Sequence, residues 1–349
     1  METSILKNKI LFFQPSKVPK KQSKKISKIV DIDFFLLNEL ENTKKIQRID
    51  GYENHFYTFY NAQTTQINVL ENQDSDDDFC IDNPFQTNKK LQNSGEDMLL
   101  QFEDRELIYF DGYLKSLSCT KKYLRKLIEF YIHLLSSLKL LDKIQLYHGN
   151  IDFRNIVVDS KENVLLCNFS HSLNLTRHDI SDYFIYFLIE KNDTRHKPLE
   201  WYFLKHLSLH TNVALSSYNI EKIIDAYLER NEVLHHFGNN VLSTLKLDAS
   251  AFFLKFVNKT YNETSLELLQ FANTWNLFEL SMAYLKILVG IQRIIQKPNR
   301  FITHFAKLLI ENISTDPRKR HNVLKTINYF DSILQHIEMK DYKEIVEIL

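Results

Sequence analysis

The run Ile144–Phe169, IQLYHGNIDFRNIVVDSKENVLLCNF, decides how the rest of the chain is read. Ile156-Val157-Val158-Asp159 and Val164-Leu165-Leu166-Cys167 are short apolar runs, and the polar residues 160–163 between them have turn composition. That pattern predicts a hairpin. Ahead of it lies a polar loop, His148-Gly149-Asn150-Ile151-Asp152-Phe153-Arg154-Asn155, and behind it Asn168-Phe169-Ser170. Upstream, Leu124, Leu127, Ile128, Tyr131, Leu135 and Leu138 recur at helical spacing. They predict a long amphipathic helix over residues 120–143 that runs straight into the loop.

The whole chain sets the bounds. Its 349 residues, 44% of them hydrophobic, suffice for one large domain with a sizeable core. Forty-four basic and 44 acidic residues cancel, so no global field recruits nucleic acid or a membrane surface. Cys80, Cys119 and Cys167 stand apart without metal-binding spacing, which suits a reducing compartment. No uncharged run reaches transmembrane length, and Ile10-Leu11-Phe12-Phe13 is too short for a signal-peptide core.

Lys17, Lys20, Lys21, Lys24, Lys25 and Lys28 form a basic run, read as a solvated segment or, secondarily, as a docking site for an acidic partner. Residues 33–46 predict a helix, capped by Asp31 or Asp33, with Phe34, Leu37, Leu40 and Ile46 on its apolar face. Residues 66–70 fit a strand. The acidic stretch 71–97, with Asp74, Asp76, Asp77 and Asp78, reads as a surface loop without calcium-loop spacing. Residues 98–102 and 106–110 look like two strands of a hairpin. Helices are expected at 220–230 and 249–257.

The central run resembles the catalytic core of protein kinases, where H-R-D-x-x-x-x-N precedes a hairpin and D-F-G. His148 falls on the motif's His, Asn150 on its catalytic Asp and Asn155 on its metal-binding Asn, while Asn168-Phe169-Ser170 fall on D-F-G. Flanking segments extend the match. Asn38-Glu39-Leu40-Glu41, Lys44-Lys45-Ile46 and Gly51-Tyr52-Glu53-Asn54-His55-Phe56 resemble the helix C region of kinase-like proteins of large cytoplasmic DNA viruses. Lys197-Pro198-Leu199-Glu200-Trp201 resembles A-P-E, Trp275-Asn276-Leu277-Phe278-Glu279-Leu280 resembles helix F, and Asp316-Pro317-Arg318-Lys319-Arg320 resembles D-P-x-x-R.

The resemblance implies an α+β, two-lobed kinase-like fold. It divides the chain into a small β-rich N-lobe over 1–108, a hinge at 109–113, and a larger helical C-lobe over 114–349 with an extension at 203–272. Lys28 is the candidate for the ATP-anchoring lysine. Glu39 is either its helix partner or a solvent-facing helix residue. Asp111-Gly112 would offer backbone groups to adenine. Glu200 and Arg320 would form a buried ion pair, and Asn276 would anchor the loop backbone; these three roles are structural.

The same resemblance implies lost chemistry. Kinases use one Asp to accept the substrate proton and another to hold magnesium. Here both are amides, at 150 and 168, and the first glycine is Gly51, too late for a phosphate-cradling loop. The expectation is a pseudokinase with no catalytic residue, no metal site and no cofactor, whose residual ATP binding is weak and metal-independent. It would serve as a protein-interaction or regulatory module for an unspecified protein partner, in the cytoplasm or, if viral, the host cytoplasm or virion. Two alternatives stand beside it: an atypical serine/threonine kinase using Asp152 as surrogate base, and a virion scaffold component.

Overall fold

The computed structural model describes residues 25–66, 96–117, 120–189, 196–209, 214–295 and 299–336. Residues 71–95 of the acidic stretch and most of the basic run lie outside the described residues; the last two residues of that expected loop, Glu96 and Asp97, instead begin a strand. The fold is mixed α+β. In chain order the first half holds β1 (Lys25–Asp31), α1 (Phe34–Ile46), β2 (Phe56–Tyr57), β3 (Asn61–Gln66), β4 (Glu96–Glu103), β5 (Leu107–Tyr109), α2 (Phe110–Ser116), α3 (Thr120–Lys143), β6 (Leu146–Tyr147), β7 (Ile156–Asp159), β8 (Val164–Cys167) and β9 (Leu173–Asn174). The rest is helical: α4 (Ile180–Ile189), α5 (Leu199–Ser208), α6 (Ser217–Arg230), α7 (Glu232–His235), α8 (Asn239–Phe253), α9 (Tyr261–Leu269), α10 (Trp275–Ile295), α11 (Arg300–Asn312) and α12 (Val323–His336). Among the described residues no helix is long and apolar enough to cross a membrane.

The strands make three sheets, ordered β1-β4-β3, β2-β8-β7-β5 and β6-β9. The hairpin β7–β8 is antiparallel, with Ile156 opposite Leu166 and Val158 opposite Val164. Its turn is closed by Asp159, whose Oδ1 accepts the N–H groups of Lys161 and Asn163, both at 2.9 Å. This is how an Asp stabilises a tight turn after a strand. All four residues of β7 are buried, so the strand reads as a continuous apolar run instead of alternating.

Two apolar clusters result. A small one, Leu36, Phe59, Met98 and Leu100, joins the three-stranded sheet to α1. The large one centres on α10, whose first three turns, Trp275–Leu285, are buried on every side. Tyr131 of α3 meets Tyr284, Phe305 and Phe330 with ring centroids 4.7–4.9 Å apart, so α3, α10, α11 and α12 lock through one aromatic knot.

The strand expected at 66–70 lies outside the described residues beyond Gln66, the last residue of β3. Three expectations change. Residues 98–102 and 106–110 do not pair with each other: β4 lies between β1 and β3, whereas β5 pairs with β7. The apolar face of α1 was misassigned, because Leu37 is 53% exposed while Asn38, Asn42 and Thr43 are buried. Asp111 and Gly112 are not an extended hinge; both lie inside α2. The α1 cap resolves to Asp33, whose Oδ1 accepts the Leu36 N–H at 2.7 Å.

Candidate functional site

The loop at 148–155 hangs from α10. Asn276 Oδ1 accepts the His148 N–H at 2.8 Å, and Asn276 Nδ2 donates to the Leu146 carbonyl at 2.9 Å. One turn on, Glu279 Oε2 accepts the Ile151 N–H at 2.7 Å. Gly149 between them has φ +81° and passes directly beneath the His171 carbonyl, an approach only a residue without Cβ can make.

His148 is fully buried against Phe169, ring centroids 4.7 Å apart. Its Nδ1 accepts the Asn150 N–H at 3.3 Å, which leaves Nε2 to donate to the Cys167 carbonyl at 3.1 Å. Burial pushes its pKa down to about 3, so the ring is neutral at ordinary pH. The unfolded chain titrates near the ordinary value of about 6.5 and binds the proton first. Stability is therefore fully present above that pH and falls as pH drops toward the folded value, by about 1.4 kcal/mol per unit. Urea denaturation at about pH 7.5 and about pH 5 should differ by about 2 kcal/mol from this group alone. His55, stacked on His133 at 4.7 Å, shifts the same way through its burial and the neighbouring ring, and adds to the slope.

The amides form a chain. Asn155 Nδ2 donates to the Asn150 carbonyl at 2.8 Å, Asn168 Nδ2 to Asn155 Oδ1 at 3.0 Å, and Ser170 Oγ to Asn168 Oδ1 at 2.7 Å. The side-chain oxygens of Asn155 and Asn168 each already accept a hydrogen bond from a neighbour. Asn168 also has φ +65°, a left-handed conformation that Asn tolerates better than most residues.

Nearby carboxylates are equally committed. Asp152 Oδ2 takes the Arg154 guanidinium at 2.8 and 3.1 Å while Oδ1 accepts the Arg154 N–H at 2.7 Å. Burial opposes its ionisation, yet these bonds win and hold the carboxyl below its usual range. Glu279 Oε1 pairs with buried Lys197 Nζ at 2.7 Å and accepts from the Tyr147 hydroxyl. Lys197 Nζ also donates to Tyr147 at 3.2 Å and to the Gly149 carbonyl, so its three protons are used. Glu39 accepts the Phe169 N–H at 3.3 Å. Burial raises its pKa, with that bond and the charge of Lys28 pulling it back.

A cleft of ≈ 740 Å³ opens between the three-stranded sheet and this loop. Lys28, Glu39, Asn150, Asn155 and Asn168 line it, so the structure brings these sequence-derived residues together. Tyr109 reaches the cleft from β5, while Asp111 and Gly112 are absent from its lining. Away from the cleft, Glu200 and Arg320 meet in a bidentate pair, both bonds 2.7 Å. The Trp275 indole donates to the same carboxylate at 3.0 Å.

Four residues contribute roles that the sequence does not assign: Glu279, Lys197, Asn38 and Asn42. Glu279 follows Asn276 at helical i, i+3 spacing, so a search for a second loop anchor on that face would have found it. Lys197 stands immediately before the Pro198 that starts α5, a place that carries no signal for a buried amine. Asn38 and Asn42 donate to the carbonyls of Ser170 and Ser172 at 2.7–3.0 Å, and their i, i+4 spacing was visible but polar.

No family model and no curated protein matches this chain. Among the described residues no group of three or more His, Cys, Asp or Glu side chains is arranged to hold a metal ion.

Proposed function

We propose that this chain is a catalytically inactive protein kinase-like protein, a pseudokinase that works by binding another protein. The reading takes the three-stranded sheet with its own apolar cluster as a small lobe and the helical body around α10 as a large one, with the cleft between them. The observation that carries it is the run of hydrogen bonds from Ser170 through Asn168 and Asn155 to the Asn150 backbone carbonyl, in which amides stand where a base and a metal-holding carboxylate are needed. Phosphoryl transfer depends on a positioned base and a metal-holding carboxylate. A neutral amide neither accepts the substrate proton as a carboxylate does nor offers a charged oxygen to magnesium.

The surrogate-base alternative is disfavoured by the grip of Arg154 on both oxygens of Asp152. A carboxylate held below its usual range is a weak proton acceptor. Incubation with γ-labelled ATP, magnesium and generic protein substrates should give no incorporation by the wild-type chain, itself included. Label that appears with wild type and vanishes in Asp152→Ala would overturn the reading.

A further inference from the structure

We propose that the groove between the α7–α8 turn and α11 binds a single-chain amphipathic carboxylate, a free fatty acid, with its chain in the groove and its head at Lys307. This site is separate from the cleft at the 148–155 loop and independent of the pseudokinase reading. α11 carries two apolar faces. Phe305 turns into the aromatic knot with Tyr131 and Phe330. Ile302, Ala306 and Ile310 recur at i, i+4 and i+8, so they share a second face. Phe237 and Val241 stand opposite that face, and the space between them is ≈ 430 Å³. These two residues come from the extension at 203–272. They flank Gly238, whose φ of +86° turns the chain from α7 into α8. Ala306, between two isoleucines, leaves room that a larger residue would fill. Walls of apolar side chains with a few polar groups at the rim are the ordinary make-up of a small-molecule site, and the volume lies in the usual range of roughly 300–1,000 Å³.

Charge selects the head group. Lys307 is exposed at the mouth and, among the described residues, enters no ion pair. Arg293 follows the lining residue Gln292, and its guanidinium donates to His236 Nε2 at 2.6 Å, beside Phe237. That bond requires a neutral imidazole, so it leaves the positive charge of Arg293 in place. Glu311, the one carboxylate among the described lining residues, faces His321 Nε2 at 3.5 Å. Two cations against one carboxylate make the mouth net positive, which favours an anionic head over a cationic one. Gln292 and Thr303 add neutral hydrogen-bonding groups at the rim. A space of this size takes one aliphatic chain and not the two of a bilayer phospholipid, so the ligand is a free monomer.

The test is calorimetric titration of the full chain with octanoate, decanoate and decyltrimethylammonium, all below their micelle-forming concentrations. Each methylene taken out of water should tighten binding about fourfold, equivalent to about 0.8 kcal/mol, so decanoate should bind about tenfold tighter than octanoate or better. Decyltrimethylammonium, the same chain on a cation, should bind about fivefold more weakly than decanoate, the scale of one exposed ion pair. Ala306→Leu puts bulk into the groove and should weaken decanoate about tenfold or more. Lys307→Ala, at an exposed position, should keep the chain-length effect and narrow the gap between the two head groups to about twofold. Phosphatidylglycerol vesicles should not sediment the protein. No decanoate binding at about 1 mM, equal affinity for the two chain lengths, or a head-group preference unmoved by Lys307→Ala would each overturn the inference. So would decanoate affinity unchanged in Ala306→Leu, or sedimentation with the vesicles. If circular dichroism shows that Ala306→Leu does not fold, the chain-length series and Lys307→Ala still decide.

Discussion

Arg320→Met should destabilise the protein by about 3–5 kcal/mol, read as a fall in the denaturant midpoint at unchanged slope. Both side chains of the pair it breaks are fully shielded from solvent. The guanidinium meets Glu200 with two bonds, the Ser314 carbonyl at 2.8 Å and the Thr274 hydroxyl at 3.0 Å. Its removal strands a carboxylate whose one remaining strong donor is the Trp275 indole. The double variant Arg320→Met with Glu200→Gln removes the stranded charge and should recover a measurable part of the loss. Stability of the double variant no better than that of the single one would show that packing, not charge, dominates at this position.

Gly149→Ala should be comparably severe by a different route. A Cβ on Gly149 would lie 1.9 Å from the backbone oxygen of His171 and 2.7 Å from its carbonyl carbon. Backbone atoms cannot rotate away as a side chain can. The left-handed φ adds about 1–2 kcal/mol for an L-residue, and forced overpacking a further ~1–3 kcal/mol. Gly238 is the internal control. Its φ is +86°, yet nothing lies within 4 Å of the position a Cβ would take. Gly238→Ala should therefore show the conformational penalty only, about 1–3 kcal/mol for a backbone at ψ 164° that is essentially restricted to glycine. Equal losses at the two sites, by urea denaturation, would refute the steric argument.

What the sequence disclosed follows physical lines. The β7–β8 hairpin and α3 were legible because their side chains obey one simple rule each: a turn residue between apolar runs, or an apolar stripe at helical spacing. Reading α1 by the same rule failed. The face it turns inward carries Asn38, Asn42 and Thr43, and the apolar Leu37 points to solvent. Hydrophobic patterning cannot find an interface made of amides and backbone carbonyls. Asp111-Gly112, expected as a hinge offering backbone groups, lies inside α2 instead. The link between β4 and β5 is short enough for a hairpin, but the two strands go to separate sheets, a choice made by long-range packing. At the site, Asn150, Asn155 and Asn168 were visible as residue types. That they bond to one another, and that Lys197 and Glu279 close the loop from below, depends on chain segments up to 132 residues apart.

The amide ties between α1 and the segment after Phe169 bear on what a binding partner would meet. Asn38 and Asn42 reach across to Ser170 and Ser172 through three bonds of 2.7–3.0 Å, Lys45 reaches Asn174 at 2.6 Å, and Tyr183 closes on Asn38 at 2.9 Å. Swinging α1 outward would break all of these together and leave buried amides unsatisfied, at about 1–3 kcal/mol each. The helix and the segment therefore travel as one rigid piece. A partner docking on that piece finds it already ordered and pays little conformational entropy on association. Such a surface is pre-organised, so variation among partners would be expressed in how slowly they leave more than in how quickly they arrive.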